Sequence, residues 1–119
     1  MRVLTMKSVH IEQFGSRGVV VHHPVDGIGL LTSDGPATMV TAEFVPGGVI
    51  GRHPATGRQA LAVVSGAVEV WGGDGHAVDV AVGQLVVFEP GEEHETRAIT
   101  AATVAIMEWG GPGQLNRMS

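Results

Sequence analysis

Gly47-Gly48-Val49-Ile50-Gly51-Arg52-His53-Pro54-Ala55-Thr56-Gly57-Arg58-Gln59-Ala60-Leu61-Ala62-Val63-Val64-Ser65-Gly66 is the stretch whose reading decides the fold. Its paired glycines predict a turn. His53 follows, a second turn comes next, and Gln59 then leads an apolar strand that stops at Gly66. His53 and Gln59 are the polar side chains best placed to share a site, and a shorter stretch from Gly83 to His94 completes it.

Outward from there, the chain reads as short strands separated by glycine and proline. Upstream, strand signals lie in Val3 to Glu12, in Val19 to His23 and in Thr38 to Val45, which Pro46-Gly47-Gly48 is expected to close. Turns are predicted at Phe14 to Gly18, at Asp26-Gly27 and at Ser33 to Pro36, with an apolar run at Ile28 to Leu31. Downstream, Val68 to Trp71 and His76 to Val82 flank the hairpin loop Gly72-Gly73-Asp74-Gly75. Leu85 to Phe88, His94 to Ile99 and Thr103 to Trp109 finish the sheet. Thr100 to Met107 is the longest helix candidate, yet alanine and β-branched residues between strand signals favour a strand. About ten short strands and no helix predict a sandwich or barrel.

Composition agrees. The 119 residues suit one domain, expected over 1–113, with a mobile tail over 114–119. Hydrophobic residues make up 44%, enough for a core, and the 18 glycines fall between apolar runs as turns require. With no cysteine, disulfides, thiolate ligands and cysteine nucleophiles are excluded. The amino-terminal residues lack a signal-peptide core and no apolar run approaches the roughly 20 residues of a membrane span, so a cytoplasmic location without membrane contact is expected. The formal net charge is −5 with seven scattered basic residues, which argues against nucleic acid. Phosphate loops, serine elbows and His-Glu-x-x-His helices are absent from the sequence.

The spacing resembles the cupin family. Its first motif, Gly-x5-His-x-His-x3,4-Glu-x6-Gly, is matched by Gly47-x5-His53-x-Ala55-x3-Gln59-x6-Gly66. Its second, Gly-x5-Pro-x-Gly-x2-His-x3-Asn, is matched by Gly83-x5-Glu89-x-Gly91-x2-His94-x3-Ala98. The resemblance spans Gly47 to Ala98, nearly half of the chain, and implies an all-β, cupin-type antiparallel jelly-roll barrel. It also implies a barrel-interior divalent metal held by His53, Gln59 and His94. Four substitutions depart from the two motifs: Ala55 for the second histidine, Gln59 for the glutamate, Glu89 for the proline and Ala98 for the asparagine. A set of two imidazoles and an amide, with no negative charge, suits Zn, Ni, Cu, Fe or Mn with water filling open positions. The alternative is a metal-free polar pocket in which His53 and Gln59 bond each other or a ligand.

The remaining polar residues stay open. His22 and His23 point to opposite faces of one strand, so one faces inward and could replace the missing ligand. His76 is expected at the surface, and His10 has no evident partner. The acids around His94 favour an imidazolium there. Glu92 and Glu93 read as a solvated loop, while Glu89, Glu95, Glu43 and Glu108 have undecided roles. Aromatic residues are 4% and tyrosine is absent, so Val, Leu, Met39, Met107 and the few Trp and Phe residues are the expected walls, which favours a small or aliphatic ligand.

Two functions follow: a metal-dependent cupin enzyme of dioxygenase, isomerase or decarboxylase type, or a binding or sensor module without turnover. In the strand Gln59 to Ser65, Leu61 and Val63 share one face while Ala60, Ala62 and Val64 share the other. A strand apolar on both faces needs cover on both, which predicts a homodimer.

Overall fold

The computed structural model describes residues 1–24 and 37–109, and within them the alternating sequence forms nine strands. These are β1 (Lys7–His10), β2 (Arg17–His23), β3 (Ala37–Pro54), β4 (Arg58–Ser65), β5 (Ala67–Trp71), β6 (Ala77–Ala81), β7 (Leu85–Phe88), β8 (Glu93–Ala98) and β9 (Ala102–Trp109). Among the described residues the helical structure is a single 3-10 turn, Gln13–Gly15. Within the Thr100 to Met107 segment the chain is strand from Ala102 onward, as its β-branched residues favour. The features expected at residues 26–36 and 110–119 lie outside the described residues.

Every pairing is antiparallel, and the strands run in the order β6-β5-β8-β3-β9-β4-β7, with β1 and β2 added beside β3. The sheet curls into a nearly closed barrel of jelly-roll type whose free edges, β6 and β7, are joined by a short turn. No described helix is long and apolar enough to cross a membrane.

The difference from expectation that shapes the site is at the expected end of the third strand. Pro46-Gly47-Gly48 does not end a strand: β3 runs through it for 18 residues. Before the glycines β3 pairs with β9, and after them with β8. The glycines make a bend rather than a turn. Gly47 has φ +77°, and a Cβ on Gly48 would lie 2.5 Å from the Gly18 carbonyl oxygen, so β2 can press against the backbone at the corner. Carried past this bend, His53 comes to lie directly across from His94 on β8.

Alternation sorts side chains between the two faces. Leu61 and Val63 of β4, Val104 of β9 and Phe88 of β7 are buried inside the barrel, with Val19, Phe44 and Val68. Burying each such side chain stabilises by roughly 1.5–3 kcal/mol. The opposite parity puts Ala60, Ala62, Leu85, Val87, Ala105 and Met107 together on the outer face, paired in register across β7, β4 and β9. There Leu85, Val87 and Met107 are exposed, at 57%, 45% and 41%.

Candidate functional site

The bend in β3 and the β3–β8 register bring the two motif histidines together. His53 and His94 are cross-strand partners with ring centroids 4.5 Å apart and planes tilted by 57°. Each ring is backed by a phenyl ring. Phe14 stacks on His53 at 4.8 Å and 12°, and Phe88 stacks on His94 at 4.0 Å and 12°.

Both tautomers follow from the hydrogen bonds. His53 Nδ1 lies 2.7 Å from the Gly51 carbonyl oxygen, and His94 Nδ1 lies 3.2 Å from that of Glu92. A carbonyl oxygen only accepts, so each Nδ1 carries the hydrogen and each neutral ring has its lone pair at Nε2. Neither Nε2 has a hydrogen-bond partner among the described residues.

Gln59 is the third polar member. It stands across from Glu108 of β9 and Phe88 of β7. Its Nε2 donates to Glu108 Oε2 at 2.9 Å, and Thr56 Oγ1 donates to the other Glu108 oxygen. The carboxylate fixes which end of the amide faces it and leaves Gln59 Oε1 as the acceptor available to a ligand. Gln59 bonds Glu108, and His53 bonds backbone, so the direct His53–Gln59 hydrogen bond of the metal-free alternative is not formed.

A cavity of about 140 Å³ joins these groups. It is lined by His53, His94, Gln59 and Thr96, with Val40, Ile50, Leu61 and Ile106 as apolar walls. The aliphatic character matches expectation, but Met39 and Met107 do not contribute. They pair with each other on the outer face, one residue out of phase with Val40 and Ile106. Ala55, at the position of the second motif histidine, is 3% exposed and packed into the core. Its N–H donates to Glu92 and its carbonyl accepts from Gly91, so this position is filled and not open space.

The expectation of a charged His94 is corrected. His94 is 3% exposed, and burial pulls its pKa below the ordinary histidine value. The Glu92 carbonyl partly opposes this, nearby His53 reinforces it, and the Glu92 and Glu108 carboxylates oppose it more weakly. Most of the acids close in sequence are engaged elsewhere. Glu89 pairs with Arg58 at 3.0 Å, Glu93 pairs with Arg52 at 2.9 Å, and Glu92 accepts from the N–H groups of Glu89 and Gly73. Glu95 alternates with His94 on β8 and pairs with Trp71 in register.

The other candidates separate cleanly. His22 is held on the outer face between Ser8 Oγ, 2.7 Å from its Nδ1, and Glu43 Oε2, 2.6 Å from its Nε2. Glu43 lies between buried Ala42 and Phe44 in sequence and so faces outward. His23 Nδ1 bonds the Pro24 carbonyl at 3.3 Å, and neither His22 nor His23 joins His53. His76 is exposed beside Asp74. Among the described residues no three of His, Cys, Asp and Glu gather as a metal-holding group. Phe14, Phe88 and Glu108 complete the site. The sequence singled out Glu108 without deciding which way it faces, and it gave no signal for Phe14 or Phe88, whose contacts depend on register.

A model of the family described as "Cupin domain" matches residues 40–110. No curated protein matches the chain in sequence. Among solved structures, a predicted oxalate decarboxylase from Thermotoga maritima is similar with a TM-score of 0.70 and 17% identity, over 88% of this chain and 92% of that one. The polyketide cyclase RemF from Streptomyces resistomycificus gives 0.68 and 20%, over 90% and 75%. A cupin-2 domain protein from Rhodospirillum rubrum gives 0.70 and 17%, over 94% and 80%. At these identities the likeness speaks for the fold alone. The motif spacing, the barrel and the family match over more than half of its length agree: the chain belongs to the cupin domain family.

Proposed function

We propose that the protein binds a small, largely aliphatic molecule in the barrel through a divalent transition metal held by His53 and His94, with Gln59 as third donor. The observation that carries this reading is a pair of cross-strand imidazoles with centroids 4.5 Å apart, each holding its hydrogen at Nδ1 and its lone pair at Nε2. Two neutral imidazoles, their Nδ1–H groups tied to carbonyls, are what a borderline metal such as Zn, Ni, Cu or Fe binds. The donor set therefore fits, with open positions for a ligand. Its lack of a carboxylate implies weaker binding than a set of three histidines and a glutamate.

A bound metal there supplies a Lewis-acid centre that polarises a carbonyl or carboxylate oxygen. The chain supplies the rest. Glu108 orients Gln59, Phe88 and Phe14 back the imidazoles, and Val40, Ile50, Leu61 and Ile106 exclude water. Cavities of about 150 Å³ admit molecules the size of benzene, which sets the scale of the ligand. No carboxylate lines the cavity, so the lining offers only His53 and His94 for proton transfer. That same neutrality supports the second reading, a metal-free binding module whose ligand donates hydrogen bonds to the two Nε2 atoms. Turnover of dioxygenase, isomerase or decarboxylase type belongs to the first reading. The apolar outer face formed by β4, β7 and β9 supports pairing with a second copy of the chain.

Elemental analysis of protein grown with mixed divalent metals tests the metal. Wild type and His76→Ala carry one bound metal, while His94→Ala and His94→Gln lose it. Near-zero metal in wild type, or unchanged metal in both His94 variants, defeats the proposal. Because only an unprotonated imidazole donates its lone pair, occupancy falls as acid protonates the histidines.

A further inference from the structure

Among the described residues Phe14 is the sole non-glycine with positive φ, at φ 61° and ψ 24°. Gly15 follows at φ 74°, and the Ser16 N–H closes the turn on the Gln13 carbonyl at 3.0 Å. A tight turn with two positive-φ central residues is normally filled by Asn-Gly or Gly-Gly, because a bulky L-residue is strained there. Burial does not offset that strain, since Phe14 is 62% exposed.

What the strained conformation secures is contact with His53. The phenyl ring lies flat on the imidazole. The same turn also grips the edge of that ring through Gly51. Ser16 Oγ, almost fully buried, accepts from the Gly51 N–H at 3.0 Å, while the Gly51 carbonyl accepts from His53 Nδ1–H at 2.7 Å. The close approach depends on glycine at 51, where a Cβ would lie 1.6 Å from the Phe14 carbonyl oxygen.

We infer that the turn from Gln13 to Ser16 is a brace that fixes the plane and tautomer of His53, with Phe14 as its positioning residue. This rests on the reading of His53 as a ligand and extends it: a residue far away in sequence, outside both motifs, sets how the imidazole presents Nε2. Strain that collects where it orients a functional group has a mechanical use.

The test is Phe14→Asn, which suits the turn but removes the stack, with Phe14→Tyr as the conservative variant. Three quantities are read: thermal unfolding without metal, the His53 tautomer by nitrogen NMR near pH 8, and zinc affinity by calorimetry. Phe14→Asn is expected to unfold at the same or a higher temperature. Without the stack the His53 ring can rotate out of line with the Gly51 carbonyl, so its Nδ1–H bond is lost part of the time. The ring then becomes a mixture of tautomers, and zinc binding weakens about tenfold, the low end for groups that orient a metal ligand. Phe14→Tyr stays close to wild type in all three. A single Nδ1–H tautomer in Phe14→Asn overturns the brace, as does unchanged zinc affinity. If wild type takes no zinc, the metal reading fails by itself, and the tautomer comparison still decides the brace.

Discussion

Acid should destabilise the metal-free protein through His94, and the sign follows from burial. The ring is 3% exposed between Phe88 and His53, and its pKa lies below 6.5, the value of an unperturbed histidine. Above pH 6.5 the ring is neutral in both the folded and unfolded chain, and its contribution is fully present. As pH falls below 6.5 the unfolded chain takes up a proton that the folded chain resists, so stability drops until the folded value is passed and then levels off. The loss is about 1.4 kcal/mol for each pH unit separating the two values. Urea denaturation from pH 8 to 5, with His94→Gln beside wild type, isolates this term as a difference between two curves. The difference should grow as pH falls below 6.5, and an NMR titration should place the His94 midpoint under that value. A flat difference, or a midpoint above 6.5, would refute burial as the dominant influence on this ring.

Other outcomes follow from packing. Phe88→Ala removes a side chain that is 1% exposed and should cost about 3–5 kcal/mol in urea denaturation; a loss under about 1 kcal/mol would contradict its place in the core. Gly51→Ala forces the Gln13–Gly15 turn away from β3 and should cost about 1–3 kcal/mol, with loss of the Phe14–His53 cross-peak in NMR. Leu85→Asp combined with Met107→Asp places charge on the outer face. Sedimentation equilibrium at micromolar concentration should show a dimer for wild type and a monomer for the pair; a monomeric wild type removes the dimer proposal.

The barrel was legible because its signals are local. Turn glycines, β-branched runs and period-two alternation each constrain a few neighbouring residues, and Leu85 to Phe88 begins and ends where the sequence places it. The Gly47-Gly48 corner was misread for a physical reason. Glycine permits a turn and a sharp bend equally, and the choice is made by β2 and β8, which are distant in sequence. Motif spacing brought His53 and His94 to one site, but not their tautomers, which depend on the carbonyls of Gly51 and Glu92. Charge near His94 misled in the same way. Proximity in sequence suggested a carboxylate field, whereas Arg58 and Arg52 draw Glu89 and Glu93 aside and burial decides the ring's state. Glu108 and Met107 show the limit of alternation: neighbours on β9, they face opposite ways, and only the register with β4 says which is inside.

The central claim is that His53 and His94 jointly hold a metal. Anomalous diffraction at the zinc edge, from crystals saturated with zinc, measures this directly. One strong peak is predicted inside the barrel, at bonding distance from both Nε2 atoms, about 2.0–2.1 Å. A barrel with no peak, or zinc bound only at surface sites such as His76 or the His22–Glu43 pair, would contradict it.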